Sequence, residues 1–316
     1  MSNLNVGFIG AGVTAEKYLE VIKHYNIFNI IGITSKTNKN CLKLKKKYKI
    51  KKIFSNYSNL ASDNSIDVII IIVSADQISK VLQDIIPFRK PFLTEKPISL
   101  NLSDAKKIKN LVLKYKTKNI VALNRRYYSV IDNALKEIKK NGKLLGFAIE
   151  GHERFYNLNK KKINPLVLKN WIFANSCHTI DLLRFFGGEI KNMKTEKVKY
   201  KKIKSNFSSL IKFKNGIIGS YRSFWYSPGG WSIELYGEGI TAVIKPLEQG
   251  YTINNKNKIV NLPVSNHDKM FKPGIFKILK NFENYVKKNK KKWPDQTILD
   301  NFNTIKLIDQ IYNEKN

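Results

Sequence analysis

The chain has 316 residues, 42% of them hydrophobic and 11% aromatic, so it has room for two domains with buried cores and is not a disordered polymer. Its net charge of +33 comes from 57 basic and 24 acidic residues. The basic residues are mostly lysines spread along the sequence, which indicates compositional bias rather than a nucleic-acid site.

The first third of the chain alternates apolar strand candidates with helical stretches. The β-branched run Ile66–Val73 is typical of a strand buried on both faces of a parallel sheet. The alternation predicts a Rossmann-type, doubly wound parallel sheet over residues 1–123. Its strands are expected at Asn3–Ile9, Phe28–Thr34, Ile66–Val73, Pro91–Thr94 and Ile120–Leu123, and its helices at Ala15–Lys23, Asn40–Tyr48, Ile78–Pro87 and Ser103–Tyr115.

From Leu145 to about Leu262 stretches of period two dominate, with a helix expected from about Ser176 to Phe186. Two further helices are expected at Pro273–Lys287 and Thr297–Tyr312. We predict an α+β domain over residues 124–316 with a mostly antiparallel sheet, used for substrate binding and oligomerisation. The C-terminal helix could instead pack back on the Rossmann domain.

A glycine-rich turn follows the first strand and opens the first helix. Its first glycine allows the tight turn, and its second lets the backbone approach a pyrophosphate at the helix N-terminus. This position in a strand–turn–helix predicts dinucleotide binding. The residues are Gly10, Ala11, Gly12, Val13 and Thr14.

The end of the second strand bears on the choice of cofactor. An acidic residue there would bind the ribose hydroxyls of NAD, but this chain carries Ser35 and Lys36. A hydroxyl followed by a cation can accept a 2′-phosphate. We therefore expect a modest preference for NADP over NAD.

Thr94-Glu95-Lys96-Pro97 ends the strand at Pro91–Thr94, and the carboxyl ends of parallel strands are where such sheets bind ligands. With the glycine-rich turn, Asn124-Arg125-Arg126 and His178-Thr179-Ile180-Asp181, this motif makes the chain resemble the glucose–fructose oxidoreductase/inositol dehydrogenase (Gfo/Idh/MocA) family. The resemblance spans nearly the whole chain.

The resemblance implies roles for individual residues. Lys96 would donate to the reacting oxygen near the nicotinamide, Pro97 would follow a cis peptide bond, and His178 would be the general acid/base. Asp181 could orient His178 or simply pair locally. Many family members carry Asp four residues before this histidine, where this chain has Ala174, and a histidine in the loop after the fourth strand, where it has Ser74-Ala75-Asp76.

The remaining site predictions follow from these motifs. Val73, Ser74, Glu95, Lys96, Pro97 and Asn124 are expected to bind the cofactor as well. The substrate is expected to contact Arg125, Arg154, Trp171, Asn175, His178 and Asp181. Trp171 could stack on a sugar ring or belong to ordinary packing.

The sequence thus predicts an NAD(P)-dependent oxidoreductase that moves a hydride between nicotinamide and a hydroxyl or keto carbon of a sugar, cyclitol or sugar nucleotide. The alternative is a non-catalytic dinucleotide-binding sensor or scaffold of the same fold.

The remaining expectations concern location and assembly. The longest aliphatic run is too short to cross a membrane, no signal peptide is visible, and the two cysteines suggest neither a disulfide framework nor a metal site, so we expect a cytoplasmic protein. We expect a homodimer or homotetramer formed through an uncovered face of the later sheet. The aromatic residues assigned to that face are Phe213, Tyr221, Phe224, Trp225 and Trp231.

Overall fold

The computed structural model describes residues 3–201, 203–289 and 296–313. It divides into two units. The first contains the chain up to Leu123 together with Ile275–Asn303, and the second contains Asn124–Gly274 and the chain from Thr304 onwards. The segment Ile275–Asn303 was placed in the second domain by the sequence analysis, and the structure corrects that assignment.

The first unit contains a six-stranded parallel sheet in the order β3-β2-β1-β4-β5-β6. This is the strand order of a dinucleotide-binding fold, and it confirms the predicted doubly wound sheet. The strands are β1 (Asn5–Ile9), β2 (Asn29–Thr34), β3 (Lys52–Ile53), β4 (Val68–Ile71), β5 (Phe92–Glu95) and β6 (Asn119–Ala122). The helices between them are α1 (Val13–Tyr25), α2 (Asn38–Tyr48), α3 (Tyr57–Ser62), α4 (Ile78–Ile85) and α5 (Leu102–Tyr115).

Helix α10 (Ile275–Lys288) belongs to the first unit because its apolar face packs there. Ile278, Leu279 and Phe282 are fully buried. The ring of Phe282 lies 6.2 Å from that of Phe28, next to β2. Residues distant in sequence therefore complete the core of the Rossmann sheet.

The second unit contains an eight-stranded sheet in the order β14-β13-β12-β11-β7-β10-β9-β8. All neighbouring pairs are antiparallel except β7 and β10, which run parallel. The strands are β7 (Leu144–Gly151), β8 (Ile190–Tyr200), β9 (Ile203–Phe213), β10 (Ile218–Phe224), β11 (Trp231–Gly237), β12 (Ile240–Ile244), β13 (Gly250–Asn254) and β14 (Ile259–Asn261).

Helices α6 (Ser129–Asn141) and α8 (Cys177–Gly187) pack on this sheet. Helix α8 is preceded by a π-helical turn, Ile172–Ser176, and continues from it without a break. The helices after the Rossmann strands are α6 (Ser129–Asn141), α7 (Pro165–Lys169), α8 (Cys177–Gly187), α9 (Asn266–Met270) and α11 (Ile298–Asn313). No helix in the described part of the chain is both long and apolar enough to span a bilayer.

The face proposed for oligomer contacts needs correction. Phe213, Tyr221 and Trp225 are buried rather than exposed. Of the aromatic residues named for that face, Phe224 is 37% exposed and Trp231 is intermediate. The alternating pattern of a strand leaves undecided which set of side chains faces the helices.

Candidate active site

The glycine-rich turn between β1 and α1 requires glycine at position 10. Gly10 has φ of +113°, and a Cβ atom there would lie 1.9 Å from the carbonyl oxygen of Ile72. A Cβ atom on Gly12, which precedes α1, would meet nothing within 4 Å. The start of α1 therefore faces open space, which fits the close approach of a pyrophosphate.

This space is part of a cavity of about 570 Å³ at the carboxyl ends of β1, β2 and β4. The cavity brings together seven of the residues predicted to bind cofactor: Gly10, Ala11, Gly12, Ser35, Lys36, Val73 and Ser74. Residues that the sequence analysis did not single out also line it, among them Asn40, Asn56, Tyr57, Gln77 and Lys80. Val13 begins α1 with its side chain exposed. The size and lining of the cavity suit an adenosine phosphate.

The charge of Lys36 also affects the pKa of Asp76, in the loop after β4. Burial raises the pKa of Asp76. Hydrogen bonds from Gln77 and Ser74 and the charge of Lys36 lower it by more, so the pKa of Asp76 lies below its usual value. Asp76 is therefore ionised near neutral pH and partly offsets the positive charge that Lys36 offers to an anion.

Lys96 follows the last residue of β5, and the peptide bond between Lys96 and Pro97 is cis, which confirms the geometry implied by the family resemblance. The neighbouring Glu95 is buried and accepts a hydrogen bond of 2.9 Å from the hydroxyl of Tyr18 in α1. The other oxygen of Glu95 accepts from the backbone N–H of Lys96, at 3.3 Å. Glu95 thus links the first helix to the backbone that carries Lys96.

The residues after β6 belong to the second unit. Asn124 is buried and donates from Nδ2 to the carbonyl oxygen of Pro273, at 3.0 Å. The guanidinium group of Arg125 lies 5.0 Å from the ring of Tyr128, to whose hydroxyl it donates, and 5.3 Å from the ring of Trp231.

His178 is the second residue of α8 and is 6% exposed. Its ring lies 5.8 Å from the ring of Trp231. Trp231 therefore contacts both Arg125 and His178, and these three side chains form one cluster in the second unit. Lys96 lies in the first unit. Its pairing with His178 at a bound substrate stays a prediction.

Asp181 is bound by two other side chains of the second unit. It accepts two hydrogen bonds from Arg126, of 2.6 and 2.7 Å, and one of 2.9 Å from Thr304. The side chains of Arg126 and Asp181 are both buried. The partners of Asp181 are thus distant in sequence, and its roles in orienting His178 and in contacting a substrate stay predictions.

A second cavity, of about 300 Å³, lies entirely within the second unit. It brings together Arg154 and Asn175 with Trp231, and its further lining residues are His152, Glu153, Gly230, Pro246, Leu247 and Glu248. Trp171 donates from its indole nitrogen to Glu153 and packs edge-on against Phe155. Trp171 is thus packed and hydrogen-bonded within the second unit, and its stacking on a sugar ring stays a prediction.

Sequence reasoning missed Glu153 and the role of Trp231. Glu153 lies just after β7, and a single glutamate at such a position does not by itself indicate a functional site. Trp231 opens β11 directly after the turn Pro228-Gly229-Gly230, and an aromatic residue after such a turn could have been chosen as a cavity residue. Arg125 and His178, which it contacts, lie more than fifty residues away in sequence.

A glycine-rich turn, a 3-2-1-4-5-6 parallel sheet and a cavity at its carboxyl edge define a dinucleotide-binding unit. Residues 4–123 match the model of the oxidoreductase family with an NAD-binding Rossmann fold, Gfo/Idh/MocA. For this part of the chain, the match confirms the resemblance recognised from the motifs.

Solved structures of similar fold include an oxidoreductase from Agrobacterium radiobacter in complex with NAD⁺, L-tartaric acid and magnesium, which is 16% identical with a TM-score of 0.81 and 98% and 95% of the two chains covered. Levoglucosan dehydrogenase in complex with NADH is 15% identical, with a TM-score of 0.83 and coverage of 98% and 96%. UDP-N-acetylglucosamine 3-dehydrogenase GnnA from Acidithiobacillus ferrooxidans is 13% identical, with a TM-score of 0.78 and coverage of 98% and 97%. At these identities the likeness shows the fold of the whole chain.

In sequence, the chain is 27% identical over 164 residues to the uncharacterised protein YMR315W of Saccharomyces cerevisiae. The match covers 51% of this chain and 47% of that protein, so it spans about half the length of the relative.

Proposed function

We propose that the protein is an NAD(P)-dependent dehydrogenase or reductase that acts on a hydroxyl or keto carbon of a sugar, cyclitol or sugar nucleotide. The observation that carries this proposal is the cavity at the carboxyl edge of β1 and β2, where Gly10–Gly12 meet Ser35 and Lys36. The family match over residues 4–123 supports the nicotinamide cofactor.

The second unit supports a polyhydroxylated substrate. Its cavity combines the aromatic ring of Trp231 with the amide of Asn175 and the charged side chains of Glu153 and Arg154. An aromatic face against a sugar ring, with polar groups around its edge, is a common arrangement in small-molecule sites. Two of the similar folds are, by their names, dehydrogenases of a sugar derivative and of a sugar nucleotide.

The bound nicotinamide would accept or supply the hydride. Lys96 would donate a hydrogen bond to the reacting oxygen, because its side chain leaves the carboxyl end of β5 and its backbone is held by Glu95. His178 would accept the hydroxyl proton during oxidation and return it during reduction. Gly12 and the start of α1 would hold the pyrophosphate.

Two finer features belong to the same proposal. Lys36 and Ser35 give NADP a modest advantage over NAD. The chain forms a homodimer or homotetramer through the outer face of the second sheet, where Leu210, Ile218 and Phe224 are exposed.

The test is turnover by the purified full chain with NADP⁺ or NAD⁺ and a panel of sugars, cyclitols and sugar nucleotides, followed through the absorbance of the reduced nicotinamide. We expect turnover with at least one class of the panel. A protein that binds the dinucleotide tightly but reduces it with no member of the panel, and oxidises no matching ketone, would be the sensor or scaffold instead.

A further inference from the structure

Glu153 is a buried carboxylate that receives hydrogen bonds from three side chains. It lies two residues after β7 and is 6% exposed. Trp171 donates from Nε1 at 2.8 Å, Ser176 donates from Oγ at 2.7 Å, and Asn175 donates from Nδ2. Trp171 and Asn175 share one oxygen of the carboxylate, while Ser176 binds the other. Such a set compensates the cost of burying the charge.

All three donors come from a single short segment. Trp171 immediately precedes the π-helical turn Ile172–Ser176, and Asn175 and Ser176 are its last two residues. A π-helical turn is rare, and it often lies at a functional site. The segment Trp171–Ser176 contains no acidic residue of its own. Glu153 therefore brings a carboxylate from a strand to a turn that lacks one.

The turn leads directly into the candidate catalytic helix. Ser176 is the residue before α8, and His178 lies two residues further on. The hydrogen bond that holds Ser176 to Glu153 therefore also restricts the position of the first turn of α8. Asn175, which Glu153 binds, lines the cavity of the second unit together with Arg154 and Trp231. Trp231 in turn contacts His178.

We propose that Glu153 is the positioning residue of this site, which fixes the turn before α8 and so the orientation of Asn175 and His178. This inference rests on the proposed function for its catalytic meaning. Glu153 acts through its neighbours: with its oxygens occupied by three donors, it orients the groups that meet the substrate. Small errors in such orientation are costly, since a displacement of about 1 Å can lower a rate by about 100-fold.

The test compares Glu153→Ala and Glu153→Gln in the full chain, with Glu196→Gln as the matched control because Glu196 is an exposed carboxylate of the same sheet. One readout does not depend on activity. The indole N–H signal of Trp171 and the imidazole C–H signals of His178 are followed by NMR, with Trp171→Phe and His178→Ala used for assignment. The other readouts are kcat, KM and cofactor affinity on a substrate found in the panel.

We expect Glu153→Ala to move both sets of signals and to lower kcat by about 10- to 100-fold, with cofactor affinity unchanged. Glu153→Gln should restore most of the rate, because an amide oxygen can still accept from Trp171 and Asn175 while its NH₂ group donates to Ser176. Glu196→Gln should match the unmodified protein in every readout.

The proposal is overturned if Glu153→Ala shifts the Trp171 signal but leaves His178 and kcat unchanged, or if Glu153→Gln is as inactive as Glu153→Ala. The second result would mean that the charge itself is needed. If Glu153→Ala does not fold, Glu153→Gln decides, since it should lose less than about tenfold in kcat while still moving the Trp171 signal. Absence of turnover in the unmodified protein would refute the proposed function alone, because the NMR signals still show whether Glu153 orients His178.

Discussion

Asp181 in α8 receives two hydrogen bonds from Arg126, and this bidentate pair joins the segment after β6 to the helix that carries His178. Thr304 adds a third hydrogen bond to the same carboxylate. Arg126 and Asp181 are far enough apart in sequence that no local pattern connects them. The pair holds two segments of the second unit together.

Asp181→Asn should lower the free energy of unfolding by about 3–5 kcal/mol, because it leaves the guanidinium of Arg126 buried without its counter-charge. The measurement is chemical denaturation of the purified protein. The matched control is Glu137→Gln, which breaks an exposed pair with Lys140 and should cost no more than about 1 kcal/mol. An Asp181→Asn protein as stable as the unmodified one would contradict a structural role and return Asp181 to the substrate site.

Lys36→Ala should weaken NADP binding by about 1–3 kcal/mol and NAD binding much less, because only NADP carries the 2′-phosphate that a cation would bind. Fluorescence titration of both cofactors measures the two effects. Lys39→Ala removes a lysine from the neighbouring exposed surface of α2 and should leave both affinities unchanged. If the unmodified protein binds NAD more tightly than NADP, the predicted preference is wrong.

Lys96→Met should lower turnover by roughly 10²- to 10⁴-fold while folding and cofactor binding survive, because methionine keeps much of the length of lysine but lacks its charged donor. Steady-state kinetics and cofactor titration separate the two effects. Lys107→Met, on the exposed face of α5, is the control.

If His178 is the acid/base, His178→Ala should remove the fall in the rate of oxidation on the acidic side of the pH–rate profile, where a protonated histidine cannot accept the hydroxyl proton. A His178→Ala enzyme with an unchanged rate and profile would exclude His178 from the mechanism and leave the proton transfer to Lys96 or to another group.

His152 should make the protein less stable in mild acid. Burial lowers the pKa of His152, and its Nδ1 accepts a hydrogen bond of 3.1 Å from the backbone N–H of Phe224. Between that lowered pKa and the value of about 6.5 in the unfolded chain, the unfolded state binds more protons, so stability is lost as the pH falls through this range.

His152→Asn keeps an acceptor for the N–H of Phe224 but does not titrate, so it should flatten the loss of stability as the pH falls below about 6.5. Thermal denaturation at a series of pH values measures the slope. His24→Asn, on the exposed surface of α1, should keep the slope of the unmodified protein. Equal slopes for all three proteins would show that His152 does not carry the effect.

Most strands and helices of the first unit could be predicted from local sequence patterns. The turn at Gly10 requires glycine, because of its positive φ and the nearness of Ile72, and it is visible as a glycine-rich motif. The strand β4 is apolar on both faces, so a short apolar run was enough to predict it. The short β3 and α3 were missed because their patterns are too brief to stand out.

The candidate site of the second unit could be predicted only in part. His178 was found through a motif, but its contact with Trp231 and the hydrogen bonds of Glu153 to the turn before α8 join segments that are distant in sequence. Phe213 of β9 and Tyr221 of β10 were assigned to the wrong face because alternation alone gives two possible registers, and the choice depends on where α6 and α8 pack.

The return of α10 to the first unit has a consequence for the growing chain. The Rossmann strands leave the ribosome first, but Ile278 and Phe282, which cover part of their core, are made only after the whole second sheet. During that interval the nascent protein exposes an apolar patch beside Phe28, where a chaperone could bind. A chain that ends at Gly274 should keep this patch open permanently and bind a hydrophobic dye that the full chain excludes.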